Sequence, residues 1–258
     1  MTAEPVGRIA ALRSSPVKGL MQDDPEELVL DREGARADRR FAVVGASGLA
    51  LFTAQLRPLA GTRARWDETT DRLTLHFADG ETVEGAAAGD RSVRAHGYAR
   101  RPMPGLEVAG PFAAILSERL GRPVRLVRLA VGVGAPGALT LLSQGSLRRL
   151  ASELGVDVVD ARRFKMTMEL DGPEAHGEDR WRGRELVVGE VRLRVGEPVG
   201  RCVLTTLEPA TLRRDLDTLR TLLSYRGALP SGEPGFGVYA TVVEPGRVRV
   251  GDPVSLAG

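Results

Sequence analysis

The chain has one thiol able to act as a soft metal ligand or a sulfur nucleophile, that of Cys202, in the run Val195-Gly-Glu-Pro-Val-Gly-Arg-Cys-Val-Leu-Thr-Thr206. The thiolate is the reactive and ligating form of cysteine, and the guanidinium of the preceding Arg201 favours it. Glycines and a proline before the pair mark a turn, and a β-rich run comes after it. Taken alone, a cysteine ahead of Val-Leu packs as a small buried hydrophobe more often than it reacts. A single cysteine also sets limits. It forms no intramolecular disulfide and cannot hold an iron–sulfur cluster, which needs about four thiolates. His76, His96 and His176 lie far apart, and none pairs with Cys202 at the spacing of a structural zinc site.

A second pattern, Gly132-Val-Gly134-Ala-Pro-Gly137, spells a dinucleotide-binding loop after the strand-like Val124 to Leu129. Phosphate binding there requires a helix starting at the loop, so that its amide groups face the pyrophosphate. The next residues, Ala138 to Leu142, read as a strand, and helical spacing begins only at about Ser143. The glycines are therefore expected to form a turn.

The elements that must position Cys202 are mostly short strands. Leu73, Leu75 and Phe77 alternate up to Asp79-Gly80, and Thr82 to Glu84 return, a two-residue hairpin signal. Hairpins are also expected from Phe41–Val44 to Leu49–Thr53, from Leu186–Val188 to Val191–Val195 through Gly189-Glu190, and around Pro245-Gly246. Helical spacing predicts three helices: Phe112 to Leu120, Leu147 to Leu154 capped by Ser143 or Ser146, and a stripe of Leu212, Leu216, Leu219 and Leu223. Many short strands with few helices point to β-barrels or sandwiches, not a doubly wound sheet. The loosest stretch, Gly97 to Gly110, suggests a domain junction.

With 258 residues the chain can bury one large core or two modest ones. Hydrophobic residues make up 42% and charged residues 27%, as in ordinary globular proteins. The 36 basic residues are balanced by 34 acidic ones and interspersed with them, which argues against nucleic acid as a partner. No secretory signal and no apolar run long enough for a membrane span is seen, so a cytoplasmic location is expected. Of the 36 basic residues only Lys18 and Lys165 are lysine. An ammonium is a compact point charge suited to a tight anionic pocket that the broad guanidinium would not enter.

The run Arg201-Cys-Val-Leu-Thr-Thr206, followed by Glu208-Pro209, resembles the signature of the MOSC family, the molybdenum cofactor sulfurase C-terminal domain. Matching segments recur in family order along nearly the whole chain. They are Ser15-Pro-Val-Lys-Gly19, Asp38-Arg-Arg-Phe41, Thr53-Ala54, Arg163-Phe-Lys-Met166, His176-Gly-Glu-Asp-Arg-Trp181, Leu219 to Gly227 and Val250-Gly-Asp-Pro-Val-Ser-Leu256. Within the family the similarity is to the amidoxime-reducing branch and its bacterial relatives.

That resemblance implies a mainly β (α+β) fold: a MOSC β-barrel domain over residues 106–258, an N-terminal β-barrel-like domain over residues 1–105, and a few helices. It implies the molybdenum cofactor, Mo-molybdopterin, with Cys202 as the protein's ligand to the metal and as the catalytic residue. Lys18, Arg40 and Arg163 match residues that contact the pterin and its phosphate, and Lys165 and Arg201 complete the candidate cofactor-binding set. Charge-assisted bonds from such groups suit a dianionic phosphate. Five positions depart from the mitochondrial branch: Gly19 and Gly200 stand for serines, Lys165 for an asparagine, and Gln55-Leu56 for an Arg-Gln pair. The function implied is an oxidoreductase that reduces hydroxylamines or amidoximes by oxygen-atom transfer. A small-molecule substrate and a separate flavin or iron–sulfur electron donor are its expected partners. The alternatives are a sulfur carrier with Cys202 as persulfide acceptor, or a non-catalytic molybdopterin-binding module.

Overall fold

A computed structural model describes residues 4–97, 101–130 and 138–257. The strands up to residue 108 are β1 (Glu4–Leu12), β2 (Glu27–Asp31), β3 (Gly34–Ala35), β4 (Phe41–Gly45), β5 (Arg63–Asp67), β6 (Arg72–His76), β7 (Thr82–Ala86), β8 (Gly89–His96) and β9 (Pro102–Val108). They are followed by β10 (Val124–Leu129), β11 (Ala138–Ser143), β12 (Met168–Asp171), β13 (Glu185–Val188), β14 (Val191–Gly200), β15 (Gly235–Glu244), β16 (Gly246–Arg249) and β17 (Pro253–Leu256). The α-helices are α1 (Phe112–Leu120), α2 (Gln144–Leu154) and α3 (Thr218–Arg226).

Seven strands close a barrel in the order β1-β12-β11-β15-β14-β13-β17. Alternation along each strand sends one set of side chains inward. Leu186 and Val188, Val191, Leu193 and Val195, and Val238 and Ala240 meet there with Ile9, Leu12, Leu139 and Leu141. The β13–β14 hairpin turns at Gly189-Glu190, with Val188 opposite Val191. One barrel strand, β1, comes from the opposite end of the chain and lies antiparallel to β12 on one side and β17 on the other. A second core, with Phe41, Val43, Leu73, Leu75, Phe112 and Leu126 among its buried residues, is contributed by residues 17–126. It draws on the sheet β4-β10-β9-β8 and the sheet β5-β6-β7, with α1. The fold is mainly β, as the strand patterning predicts.

The structure differs from the sequence expectations at four places. The return strand from Leu49 to Thr53 is reduced to a bridge between Ala50 and Val44, and the chain enters a 3-10 turn over Thr53–Leu59. After Pro245 the chain does not fold back on β15, because both edges of β15 are taken by β11 and β14. Instead β16 pairs with β2, from Gly246 opposite Leu30 to Arg249 opposite Glu27. The third helix begins only at Thr218, since Leu212 adopts a left-handed φ of 52° that no α-helix accommodates. The stretch read as loose between Gly97 and Gly110 contains β9, held by β8 and β10. The Gly132-to-Gly137 pattern lies outside the described residues. Among the described residues no helix is long and apolar enough to cross a membrane.

Candidate functional site

Cys202 sits where β14 leaves the barrel. The β14–β15 register shifts between Val195 and Pro198 and again between Pro198 and Gly200. Bulges of this kind bend a strand and re-aim side chains at barrel rims. Cys202 then opens a short 3-10 turn, Val203–Thr206, and its side chain is exposed. The turn is pinned to α3 by Thr218, whose hydroxyl donates to Thr205 Oγ1 at 2.9 Å.

Arg201 faces the other way. It is 6% exposed, and its guanidinium donates to Phe236 O (2.8 Å from Nε), Phe164 O (2.9 Å) and Met166 Sδ (2.7 Å). Its partners are carbonyls and a thioether, so among the described residues the buried charge has no carboxylate partner, and burial lowers its pKa to about 10. Gly237 makes this arrangement possible. Its φ is 72°, and a Cβ there would lie 2.6 Å from Leu141 O.

A cavity of about 140 Å³ adjoins the thiol. Arg163, Lys165, Arg201 and Cys202 line it together with Leu204, Leu207, Pro209 and Leu212. Arg163 comes from the 3-10 turn Ala161–Phe164, capped by the Asp160 carboxylate on Arg162 N. Both its terminal nitrogens bind the Asp215 carboxylate, one at 2.7 Å, and this holds Asp215 below the usual carboxylate range. Arg163 Nε is buried with no partner. Lys165, in a left-handed conformation, donates to Leu20 O at 2.9 Å. Burial and the nearby Arg39 guanidinium lower its pKa to about 8.

Lys18 is not among the residues that line this cavity. Its Nζ stands 4.0 Å from the centre of the Phe52 ring, next to the cavity-lining Thr53, and burial followed by Arg39 lowers its pKa. Gly19 follows at φ 91°, where a Cβ would meet Leu56 Cδ1 at 2.7 Å, so a serine at this position would be strained. Both lysines of the chain therefore converge on Arg39. Among the described residues neither has a carboxylate within ion-pair distance.

Of the sequence-derived set, Cys202, Arg201, Arg163 and Lys165 line one cavity, and Lys18 does not. Arg40 is not among the cavity-lining residues. Its guanidinium lies 3.7 Å from Glu33 and acts on Glu68. The adjacent Arg39 does not line the cavity either, but it lies near both lysines, held by a left-handed φ of 52° and a 2.6 Å bond to Asp38, which itself accepts from Ser15 N. Tyr239, exposed on β15, has no signal in the sequence; it interacts electrostatically with both Arg39 and Arg201. The acids nearest in sequence are committed elsewhere. Glu208 accepts from Ala210 N and Thr211 N within its own turn, and Asp215 holds Arg163.

The donor set fits a soft metal carried by an anionic organic group. One exposed thiol is offered to the metal. Lys18, Arg39 and Lys165 are three clustered cations, and among the described residues Asp38 is the only acid acting on them. Among the described residues no three His, Cys, Asp or Glu side chains come together as a ligand set. A larger cleft of about 580 Å³ lies between β2 and β5, but it has no thiol. Its acids are largely paired, Asp23 with Arg63 and Arg65, and Asp24 with Arg13.

The MOSC domain profile matches residues 129–255, and the MOSC N-terminal beta barrel domain profile matches residues 6–123. The chain belongs to the MOSC family. Mitochondrial amidoxime-reducing component 1 of Homo sapiens is 38% identical over 125 residues, covering 46% of this chain and 36% of that protein. Molybdenum cofactor sulfurase of Drosophila pseudoobscura pseudoobscura is 28% identical over 232 residues, covering 81% of this chain and 28% of that protein. The chain thus spans about a third of the length of these relatives, 36% and 28%. The YUAD protein from Bacillus subtilis aligns over 99% of this chain and 96% of its own, with a TM-score of 0.42 and 14% identity.

Proposed function

We propose that this MOSC protein binds the molybdenum cofactor with Cys202 as its ligand to the metal and reduces N-hydroxylated small molecules. The observation that carries this is a cavity lined by both the exposed thiol and Lys165, a lysine that with Lys18 lies near Arg39 in a group of three cations on which, among the described residues, Asp38 is the one carboxylate acting. A soft thiolate and hard cations at one site match a group with a soft metal at one end and a phosphate at the other. When bound, that cofactor would supply two-electron oxygen-atom transfer, by which a hydroxylamine or amidoxime, with two electrons from a donor and two protons from solvent, would become the amine or amidine and water.

The chain's own residues bind and orient. Lys18, Arg39 and Lys165 receive the phosphate, whose two negative charges relieve the repulsion among them. Arg163 keeps its Nε as a spare donor while Asp215 fixes the guanidinium plane. Arg201 holds the segment before Cys202 to the Phe164 and Phe236 carbonyls, which sets the direction in which the thiol leaves the barrel rim. The electrons come from a separate flavin or iron–sulfur protein, since one cysteine provides no cluster relay.

A sulfur-carrying role is favoured by one observation, the match to a molybdenum cofactor sulfurase over 81% of the chain. Protein purified from a molybdenum-replete host is assayed with an artificial reductant and an amidoxime. Turnover with stoichiometric molybdenum supports the reductase. A mass increase of one sulfur on Cys202, with no molybdenum and no turnover, replaces it with the carrier.

A further inference from the structure

Two glycines face each other at the end of the β14–β15 ladder, Gly200 opposite Gly235. The loop after α3 covers the bare patch that they leave. Leu229 lies over Gly235, where a Cβ would come within 3.1 Å of its Cδ2, and Glu233 lies over Gly200. A Cβ on Gly200 would meet Glu233 Oε1 at 2.5 Å, Cγ at 2.7 Å and Cδ at 3.0 Å, so the carboxylate takes the space of a side chain at position 200. The loop is tied down around this contact. Leu229 N donates to Glu233 O at 2.8 Å, Gly232 N to Leu229 O at 2.8 Å, and Arg201 N to Pro234 O at 2.9 Å. The chain is still extended at Cys202, with φ −116° and ψ 178°. Alternation therefore turns Cys202 to the side of position 200, opposite the buried Arg201, with about 6–7 Å between the two positions. Glu233 is half-buried, and among the described residues its carboxylate has no hydrogen bond or ion pair, unlike those of Glu208 and Asp215.

We propose that Glu233 is the proton donor of the reduction, a role that rests on the reductase function proposed above. It is an uncommitted acid on the side of the thiol, and half-burial keeps it in reach of solvent, from which it recovers its proton. Reduction of a hydroxylamine to the amine breaks the N–O bond and consumes two electrons and two protons. The electrons come from the separate flavin or iron–sulfur protein. One proton ends on nitrogen and the other on the departing oxygen, which leaves as water. Glu233 passes these protons one after the other, each taken up from solvent by its carboxylate. Lys165 is a poorer candidate, because its ammonium is already spent on Leu20 O and on the phosphate assigned to it.

The test uses Glu233→Gln, which keeps the shape over Gly200 and removes the proton. In cofactor-free protein, Cys202 is alkylated with anionic iodoacetate and with neutral iodoacetamide. The carboxylate repels the anion, so Glu233→Gln should raise the iodoacetate-to-iodoacetamide rate ratio about two- to threefold at low salt. In cofactor-loaded protein, with an artificial reductant and an amidoxime, Glu233→Gln should lower kcat about a hundredfold at unchanged molybdenum content. Acetic acid added at constant pH should restore part of that loss in the variant alone, a response that a purely structural role would not give. An unchanged alkylation ratio overturns the placement of Glu233, and the proton role with it, whatever the turnover. Wild-type kcat in Glu233→Gln, or a loss that acetic acid does not relieve, overturns the proton role. If the ratio rises but wild type turns over no amidoxime, the reductase function falls and takes the proton role with it, while the placement of the carboxylate beside the thiol stands.

Discussion

Replacing Lys165 with methionine should stabilise the cofactor-free protein at neutral pH. Lys165 donates to Leu20 O and lies near Arg39, and its pKa falls from 10.5 to about 8, chiefly through burial. At about 1.36 kcal/mol per pH unit, that gap of roughly 2.5 units corresponds to a cost of about 3 kcal/mol for holding the charge in the folded state. Because the side chain retains some solvent contact, a gain of about 1–3 kcal/mol is expected from Lys165→Met at pH 7. The sign of the pH dependence comes from linkage. Below pH 8 both folded and unfolded chains carry the proton, so the full penalty is present. Between about pH 8 and 10.5 the folded protein releases the proton while the unfolded chain keeps it, and wild-type stability rises relative to the variant. Urea unfolding of both proteins at intervals from about pH 7 to 10.5 measures this difference directly. A difference that is flat in pH, or a variant less stable than wild type at neutral pH, would refute the buried unpaired ammonium. Saturating cofactor should shrink the difference at neutral pH, because the phosphate supplies the missing counter-charge.

Further expectations concern the other cations and the electrons. Arg39→Ala and Lys18→Ala should each lower pterin occupancy about ten- to a hundredfold under limiting cofactor, the loss of one charge-assisted bond, whereas Arg40→Ala should leave it near wild type. Pterin release and fluorescence quantification report this, and equal losses at Arg39 and Arg40 would contradict the placement of the two side chains. Arg201→Met should change stability by no more than about 1–2 kcal/mol in urea unfolding, because relief of the buried charge offsets the donors lost by the Phe164 and Phe236 carbonyls. NADH alone should not sustain reduction by the flavin-free chain, and steady NADH oxidation linked to product would show a dinucleotide site.

The parts of the molecule legible in the sequence are those set by local rules. The β13–β14 hairpin comes from alternation interrupted at Gly189-Glu190, and α1 and α2 from apolar spacing between a capping residue and a glycine. Cys202 stands out because it is alone. The hidden parts depend on distant or one-residue geometry. The closing of the barrel by β1 unites residues some 160 positions apart, as in Arg8 opposite Asp171, and no local signal announces it. Arg39 and Arg40 are adjacent in a turn, and the left-handed φ of 52° at Arg39, which leaves no mark in the sequence, sets where each guanidinium goes. The helical stripe from Leu212 fails because a left-handed residue leaves no mark in a hydrophobic pattern. The Asp215 clamp on Arg163 spans 52 residues, which leaves each looking like a solvated charge.

Binding of molybdenum through Cys202 is most directly tested by metal and pterin analysis of wild type and Cys202→Ala purified side by side from a molybdenum-replete host. Wild type should carry up to about one molybdenum and one pterin per chain. Cys202→Ala should fold, since loss of a small side chain typically costs only about 1–2 kcal/mol, and should carry little molybdenum because its soft ligand is gone. Equal molybdenum in the two proteins would contradict Cys202 as the ligand, and none in either would contradict the cofactor itself.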